Sequence, residues 1–494
     1  MRIMVVTNLF PPEMLGGYEV LCREMTEYLA GRHEVRVLTS LGGLYGPREA
    51  VTPDRDHGVP LPGVDYELAQ VLPAPVGYAL ERSHNPRLFD PGATRLHRGF
   101  DQASAALLLR EIRDYRPDVV YMFNPLGSGP VGLLAVAAAS VPLVVHLEDA
   151  MDLTMADAIR DDEPLRGLLA SAKARAWAIS CSSVILPGNA MFGSFERVDL
   201  LPNWLRLGAF AVGADDATGG ARSTRTGEGG GIRAVSFGQI LAHKGVDRAV
   251  GAAEVYNDRH GALTLDVFGD VGNPFAKELQ ARAERSRHRD RLRFRGRLAR
   301  ERLLAELPSY DVALLPLPES EPFGLVVIEA LAAGCPVVTT SPCGATEWLS
   351  ASEEYVPVAP GASPEAIASA LHAALGSGQL ARMRQRAAGV VAERFDLETV
   401  VGPRVEEILA EAAAELGPPS LEEGIRAAER LLYMRRLSGW AARPGPSRGD
   451  RFRYRLADEV VAMGDRVGIP WGAVRDRARR AGHLARRAGT LRRR

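Results

Sequence analysis

The sequence predicts an α/β protein built from two doubly wound parallel sheets that face each other across a cleft. Short apolar, β-branched runs alternate with longer helical patterns, as in βα units around a parallel sheet. This alternation occurs in two series, separated by a Gly-, Ser-, Thr- and charge-rich linker at residues 206–231. At 494 residues the chain is also too long for one hydrophobic core. A ligand site is therefore expected between the carboxyl edges of the two sheets.

The first domain is predicted to span residues 1–205. Its strands are identified as short β-branched runs, and its helices as longer stretches with apolar residues three and four positions apart. In chain order we predict strand Ile3–Thr7, a helix near Tyr18–Leu29, strand Glu34–Thr39, a helix near Ser104–Arg113, and strands Val119–Phe123, Leu143–Leu147, Val184–Leu186 and Asp199–Leu201.

The second domain is predicted to span residues 232–395, and residues 396–416 are expected to form a helix that packs back toward the first domain. Its most regular unit is the helix Leu325–Ala333, which follows a Pro-Phe-Gly turn and ends at Gly334. The predicted strands are Ala234–Phe237, Thr264–Phe268, Leu292–Phe294, Val312–Leu315, Pro336–Thr340 and Tyr355–Val358, followed by helices Pro364–Leu375 and Leu380–Glu393.

Residues 417–494 have a different character and are predicted to form a basic helical extension. From residue 420 onward the chain has roughly 19 arginines and 8 acidic residues, whereas the whole chain has a net charge of −1. Apolar residues recur at helical spacing between these arginines. Two interpretations remain open: a helix lying on an anionic membrane, or a helix docked on an acidic patch of the protein itself.

Composition excludes several classes of protein. A net charge of −1 argues against bulk nucleic-acid binding, and no apolar stretch reaches the roughly 18 residues of a membrane-spanning helix. The four cysteines lack zinc-site spacing and are interpreted as reduced core thiols. The N-terminus lacks the pattern of a signal peptide. We expect a cytoplasmic protein, with contact to the inner face of a membrane as an option for residues 420–494.

The segment ESEPFGLVVIEALAAGCPVVTT, residues 319–340, carries two acids eight positions apart. Glu321 is predicted on the loop beside a helix N-terminus, where free backbone N–H groups favour an anion such as a diphosphate. Glu329 is predicted within that helix, and the cis-diol of a ribose offers two O–H donors that match its two oxygens. Spacing alone does not distinguish this function from two solvated carboxylates.

Three further elements are expected at the cleft. Gly16 and Gly17 follow the first strand and precede a helix, so their backbone can approach a phosphate. In SFGQILAHKG, residues 236–245, Lys244 lies just past the first strand of the second domain. It is one of only three lysines among 60 basic residues, and a lysine suits a compact phosphate charge. His146 ends a strand of the first domain, where its side chain would face the cleft.

Together these residues resemble the retaining glycosyltransferases of family 4, the group 1 glycosyltransferases. The resemblance covers roughly residues 1–415 and rests on Gly16-Gly17 after a Pro-Pro turn, His146 at a strand end, GxxxxxKG at residues 238–245, and EPFGLVVIEALAAGCPVV. It implies the GT-B fold, in which two Rossmann-like doubly wound domains face a cleft, here followed by the basic helical extension.

The resemblance also implies roles for individual residues. Glu321 would bind hydroxyls of the transferred sugar, Glu329 the nucleotide ribose, and Lys244 the diphosphate, while His146 would contact the sugar near the reacting carbon. The expected catalytic residues are thus His146, Glu321 and Lys244. The expected donor-binding residues are Gly16, Gly17, Gly238, Gln239, Lys244, Glu321, Phe323, Gly324, Leu325 and Glu329. No cofactor or metal is implied. The partners are a nucleotide-sugar donor and an acceptor, which is a glycan, a lipid-linked molecule or a small molecule, and the sequence leaves the oligomeric state of the protein open.

One position departs from the family pattern. Gln239 stands where the family usually has an arginine, so a neutral amide replaces a cation beside the expected diphosphate. Either another arginine substitutes, or the activity is reduced. Two alternatives to a transferase therefore remain: a weak or silent nucleotide-sugar-binding protein, and a sugar-nucleotide epimerase.

Two other motifs are interpreted as coincidental. Gly127, Gly129 and Gly132 form GxGxxG. Two features argue against dinucleotide binding: Pro130 lies within the turn, and the motif follows a middle strand of the sheet. Asp54 and Asp56 form a DxD in a Pro- and Gly-rich stretch, where we expect a solvated loop rather than a metal site.

Overall fold

The first lobe is an eight-stranded sheet with helices on its faces. The computed structural model describes residues 1–7, 10–11, 17–40, 59–60, 67–72, 102–124, 129–153, 163–208, 231–318 and 320–416. The strands of this lobe are β1 Arg2–Thr7, β2 Glu34–Ser40, β3 Val59–Pro60, β4 Glu67–Leu72, β5 Val119–Phe123, β6 Leu143–Leu147, β7 Trp177–Ser180 and β8 Arg197–Leu200. Their order is β3-β4-β2-β1-β5-β6-β7-β8, parallel throughout except for the β3–β4 pair. The helices are α1 Gly17–Ala30, α2 Gln102–Tyr115, α3 Gly129–Ala138 and α4 Glu163–Lys173.

The second lobe is a six-stranded parallel sheet. Its strands are β9 Ile232–Phe237, β10 Leu263–Phe268, β11 Leu292–Gly296, β12 Val312–Leu315, β13 Val337–Thr340 and β14 Val356–Val358. They lie in the order β11-β10-β9-β12-β13-β14. The helices are α5 Val246–Arg259, α6 Pro274–Arg285, α7 Arg300–Glu306, α8 Leu325–Ala332, α9 Pro364–Gly376 and α10 Gln379–Phe395, and α11 Gly402–Glu415 follows them. The predicted pair of doubly wound sheets is confirmed.

Most of the predicted elements agree with the structure to within two or three residues, but one strand is wrong. Residues Ser183–Ile185 form a 3-10 turn rather than the predicted strand Val184–Leu186. The strand of that region is Trp177–Ser180, which pairs in parallel with β6. Val184 and Ile185 are β-branched, but the chain turns again at Pro187–Asn189 shortly after them, whereas the missed strand is buried throughout and has one β-branched residue, Ile179.

Helix α11 belongs to the core of the first lobe although it follows the second in sequence. Residue Leu205 pairs with Asp396 where the chain passes between the lobes. Beyond that point Val405, Ile408 and Leu409 are fully buried among core residues of β1, α1 and β5. Burying side chains of this size stabilises the folded state by about 1.5–3 kcal/mol each. The helix therefore ties the end of the described chain to the first lobe.

All four cysteines are buried and free, in line with their interpretation as core thiols. Within the parts of the chain that the structure describes, no helix is long and apolar enough to cross a membrane. The linker at residues 209–230 and the basic extension at residues 417–494 lie outside the described residues, as do Gly16, Asp54 and Asp56.

Lys173 forms a buried ion pair with Asp152. Both side chains are fully buried, and the lysine Nζ lies 2.6 and 2.5 Å from the two carboxylate oxygens. The same ammonium donates to the carbonyl of Asn189 at 2.8 Å, and the carboxylate accepts from the backbone N–H of Phe192 at 3.0 Å. Burial lowers the pKa of Lys173 and raises the pKa of Asp152. This lysine therefore joins α4 to the segment after β6, and its role is structural.

Removing one partner of this pair should destabilise the protein strongly. We expect Lys173→Met to lower the free energy of unfolding by about 3–5 kcal/mol, because it leaves a buried carboxylate without its cation. Urea denaturation followed by circular dichroism measures the change. The double variant Lys173→Met/Asp152→Leu should recover much of the loss, and Arg386→Ala, which removes an exposed ion pair with Glu353, is the control. A loss no larger than that of the control would contradict the assignment.

Candidate functional site

The site is organised around the turn Pro322-Phe323-Gly324 and the start of helix α8. Gly324 has a φ of +91°, and a Cβ at this position would lie 2.7 Å from Leu317 Cδ1. Both the left-handed backbone and the close approach require glycine here. Gly324 caps the helix without a side-chain hydrogen bond. The first-turn N–H groups and the positive end of the helix dipole are thus directed toward the cleft, where they suit an anion.

Hydrogen bonds hold the carbonyl groups of the turn and of Glu321, which precedes it. Backbone N–H groups of Gly344 and Ala345 donate to the carbonyls of Glu321, at 3.2 Å, and Phe323, at 2.7 Å. The carbonyl of Pro322 accepts from the Ser182 hydroxyl of the first lobe at 2.5 Å. The Phe323 ring is buried and meets the edge of Phe395. The carboxylate of Glu321 therefore projects from a backbone that both lobes fix.

Lys244 and Glu321 are brought together from loops 77 residues apart. The Lys244 Nζ donates to Glu321 Oε2 at 2.7 Å, and their side chains are 23% and 11% exposed. Lys244 precedes Gly245, whose φ is +74° and where a Cβ would lie 2.0 Å from the carbonyl oxygen of Pro316. The sharp turn at Gly245 directs the lysine to the carboxyl edge of the second sheet, beside the Pro-Phe-Gly turn.

Glu329 lies one turn into α8 and is paired with Arg300. The guanidinium Nε of Arg300 donates to Glu329 Oε1 at 2.8 Å. A second nitrogen of the same group, Nη1, lies 3.6 Å from Oε1 of Glu24 on α1 of the first lobe. Arg300 is absent from the sequence-based list of site residues. In a chain so rich in arginine, neither its residue type nor its spacing sets it apart.

Two predicted glycines approach the first turn of α8 from opposite sides. A Cβ on Gly17, the first residue of α1, would lie 2.5 Å from Leu325 Cδ1, so the two helix starts meet across the cleft. Gly238 has a φ of +116°, and its Cβ would lie 3.2 Å from Val326 Cγ1. Gln239 follows with an exposed side chain. Leu325 also packs against the core of the first lobe.

His146 lies on β6 but is fully buried in the first lobe. Its Nδ1 lies 2.5 Å from the Tyr121 hydroxyl, and its Nε2 lies 3.3 Å from Glu148 Oε1. Burial holds the pKa of Tyr121 well above its usual value, so the phenol keeps its proton and can donate it to Nδ1. Nε2, on the other side of the ring, faces the Glu148 carboxylate but does not form a hydrogen bond with it.

The surroundings of His146 are aromatic and polar. The rings of Phe123 and Trp204 lie 4.6 and 5.6 Å from the imidazole, centroid to centroid. Glu148 Oε2 accepts from the Asn203 amide at 2.8 Å. The sequence indicated the histidine as a strand-end residue but gave no sign of this network, whose members come from β5, β6 and the segment after β8.

A second contact between the lobes lies behind the turn. The Ser183 hydroxyl and backbone N–H donate to the two oxygens of Glu347, at 2.6 and 2.8 Å. The Trp348 indole N–H donates to the Cys181 carbonyl at 3.3 Å. Because these contacts lie just beyond Ser182, they fix the first lobe against the same segment that carries Glu321. Serine and tryptophan in these positions gave no sequence signal.

Over the described residues, no group of three or more His, Cys, Asp or Glu side chains is arranged to hold a metal ion. Lys244 and Arg300 are cations at the carboxyl edge of the second sheet that pair with carboxylates, and Arg248 donates to the Pro316 and Leu317 carbonyls at the same edge. The ion pairs of Lys244 with Glu321 and of Arg300 with Glu329 place two carboxylates and two cations along one side of the cleft.

The chain matches two family models, one on each lobe. Residues 16–204 match the glycosyl transferase 4-like domain, and residues 226–389 match glycosyl transferases group 1. Glycogen synthase of Mycobacterium tuberculosis is 28% identical over 438 residues, an alignment covering 85% of this chain and 97% of the relative.

Solved structures share the two-lobed architecture. A sucrose-phosphate synthase from Thermosynechococcus elongatus superposes with a TM-score of 0.61 at 15% identity, covering 84% of this chain and 100% of that one. The Anabaena protein HepE, solved in complex with UDP, gives a TM-score of 0.58 at 18% identity, covering 83% and 100%. The matched models and this shared fold lead to one conclusion: the chain belongs to the group 1 glycosyltransferases of the family 4 type, with the GT-B fold.

Proposed function

We propose that this glycosyltransferase transfers a sugar from a nucleoside diphosphate to an acceptor hydroxyl with retention of configuration and without a metal ion. The observation that carries the proposal is the arrangement around the start of α8. The start of α8, one lysine and two carboxylates lie along the same side of the cleft, and these groups suit the diphosphate, sugar and ribose of a nucleotide sugar.

The diphosphate would lie at the first turn of α8. Backbone N–H groups beyond Gly324 and the Lys244 ammonium would bind its oxygens, and the close packing of Gly17 and Gly238 around this turn lets backbone approach them. These groups supply the positive charge that a metal ion supplies in other transferases. HepE has been solved with UDP and with UDP-glucose, and that relationship supports a nucleotide at this edge.

Donor binding would exchange the partners of Lys244. In the structure its ammonium is bound by Glu321. When a diphosphate takes up the ammonium, the Glu321 carboxylate becomes available to accept hydrogen bonds from sugar hydroxyls. A partly exposed ion pair contributes about 0–1 kcal/mol, so the exchange costs little. The donor would thus separate the ammonium of Lys244 from the carboxylate of Glu321.

In the transfer step, the bond between the anomeric carbon and the diphosphate oxygen breaks, and the acceptor oxygen bonds to the same face of that carbon. The acceptor proton passes to the departing phosphate oxygen. The protein stabilises the charge that develops on the diphosphate and positions both substrates. His146 is fully buried with its two ring nitrogens beside Tyr121 and Glu148, so it could contact the sugar only if this group of side chains opened.

Gln239 favours a second candidate function, a nucleotide-sugar-binding protein with weak or no turnover. Its exposed amide follows Gly238 beside α8 and supplies no charge to a diphosphate. Ground-state binding by Lys244 and the helix end would survive this loss, whereas stabilisation of the leaving group would suffer most.

Lys244 should contribute to diphosphate binding more than to nucleoside binding. Calorimetric titration with UDP, GDP, ADP and dTDP, with and without chelator, should reveal selective binding that persists in chelator. Lys244→Ala should lower the affinity for the preferred nucleoside diphosphate by roughly tenfold to a hundredfold, since one charged hydrogen bond is lost. The affinity for the corresponding nucleoside should stay nearly unchanged. Lys277→Ala, which removes an exposed helix lysine, is the matched control. Equal losses for both ligands would contradict the assignment.

Glu329 should contribute through the ribose. We expect Glu329→Ala to lower the affinity for the nucleoside and for its diphosphate by a similar factor of roughly ten, because the lost hydrogen bonds involve the ribose that both ligands share. Titration of the two ligands against this variant gives the comparison. An unchanged affinity would remove Glu329 from the donor site.

Gln239→Arg should raise turnover if the missing cation limits leaving-group stabilisation. We expect the rate of sugar release to increase by about tenfold with a smaller change in nucleotide affinity, since the added charge acts mainly as the diphosphate departs. Hydrolysis of the preferred donor, measured as nucleoside diphosphate release, tests this. Gln280→Arg, on the exposed side of α6, controls for an added arginine. No gain over that control would argue that Gln239 does not limit the reaction.

A further inference from the structure

One guanidinium joins carboxylates of both lobes at the edge of the proposed donor site. Arg300 is the first residue of α7, and its Nε donates to Glu329 on α8 of the second lobe at 2.8 Å. Its Nη1 lies 3.6 Å from Oε1 of Glu24 on α1 of the first lobe. A planar guanidinium presents N–H groups in several fixed directions, so it can contact two carboxylates that a lysine ammonium could not hold in the same geometry.

The two carboxylates depend on this cation. The side chains of Glu24 and Glu329 are only 8% and 13% exposed, whereas Arg300 is 35% exposed. Burial raises the pKa of Glu24, and Arg300 is the charge that opposes this rise most. Without Arg300, two negative groups would approach each other across the cleft, which disfavours closure of the lobes at this point.

The contact leaves Glu329 able to bind a ligand. Arg300 donates to Oε1 only, and an ionised carboxylate has about four lone-pair sites on its two oxygens. The cis-diol of a ribose could therefore bind Glu329 while Arg300 stays in place. Unlike the pair of Lys244 with Glu321, this pair need not separate when a donor arrives.

We propose that Arg300 is a positioning residue for the donor; this inference rests on the proposed function. It holds the Glu329 carboxylate in the orientation that receives the ribose hydroxyls. Through Glu24 it makes that orientation depend on the approach of the first lobe. Recognition of the ribose and closure of the cleft are then linked by one side chain that does not itself touch the reacting atoms.

A pair of ligands isolates this role. The tightest-binding nucleoside diphosphate and its 2′,3′-dideoxy counterpart share the base and the diphosphate, but only the first can donate hydroxyls to Glu329. The wild-type protein should prefer the ribose form. Arg300→Gln should weaken the ribose form by roughly fivefold to thirtyfold and leave the dideoxy form nearly unchanged, so that the preference collapses.

Glu24→Gln separates the two arms of the contact. This variant keeps Arg300 beside Glu329 but removes the charge on the first lobe, and it should reduce the preference by about twofold to fivefold. In the double variant Arg300→Gln/Glu24→Gln, the second substitution should add nothing further. Arg282→Gln, which removes an arginine paired with Glu254 at 2.9 Å on the surface of the same lobe, should leave the preference intact.

The outcomes distinguish this inference from the proposed function. A wild-type protein that does not prefer the ribose form would refute the ribose role of Glu329 and the donor site with it. If the wild type shows the preference and Arg300→Gln retains it, or loses affinity equally for both ligands, the positioning role of Arg300 is overturned while the donor site stands. If Glu24→Gln prefers the ribose form as strongly as the wild type does, the proposed role of the Arg300–Glu24 contact is overturned.

Discussion

The left-handed turn at Gly324 is the constraint on which the proposed donor site depends. At this residue the loop ends and α8 begins without a side-chain cap, so that the helix N-terminus is directed at the cleft. Three carbonyl groups of the turn and of Glu321 are hydrogen-bonded by Gly344, Ala345 and the Ser182 hydroxyl, so the loop that carries Glu321 has little freedom. A side chain at Gly324 would clash with Leu317, and the positive φ at this position would strain the backbone of any residue other than glycine.

The ionic groups of the protein serve two different purposes. The buried pair of Lys173 and Asp152 is saturated by further hydrogen bonds and joins elements of one lobe, as expected where charges lack solvent. The pairs made by Lys244 and Arg300 are partly exposed and lie at the cleft. Under the proposed function the Lys244–Glu321 pair exchanges partners when a diphosphate binds, whereas the Arg300–Glu329 pair stays in place.

Gln239 and His146 show how the site differs from a simple reading of its motifs. Gln239 is neutral where the family usually has an arginine, so this position beside α8 carries no charge. Arg300 is a cation at the same cleft, but Arg300 is paired with Glu329 and Glu24 rather than placed at the start of α8. His146 belongs to a buried network with Tyr121 and Glu148 rather than to an open surface. Any contact it makes with a sugar would be shaped by that network.

The two sheets, the positions of most strands along the chain, and the Pro-Phe-Gly turn that begins α8 were predictable from the sequence alone. These features are local: period-two and helical patterns and glycine-rich turns are visible within ten or twenty residues. The shared edge of Lys244, Glu321 and Glu329 also followed from local order, because each lies just beyond or beside the carboxyl end of a parallel strand.

The pairing of side chains depends on the packing of the two lobes and could not be predicted from the sequence. Glu24 and Arg300 are separated by 276 positions, and Ser182 and Pro322 by 140, so their contacts arise from how the lobes pack. The chain has so many arginines that no pattern distinguishes Arg300 from its neighbours, and the buried strand Trp177–Ser180 is too short to be recognised without its partner β6. Local patterns encode backbone conformation, whereas charge pairing and burial depend on surfaces that exist only after the sheets have formed.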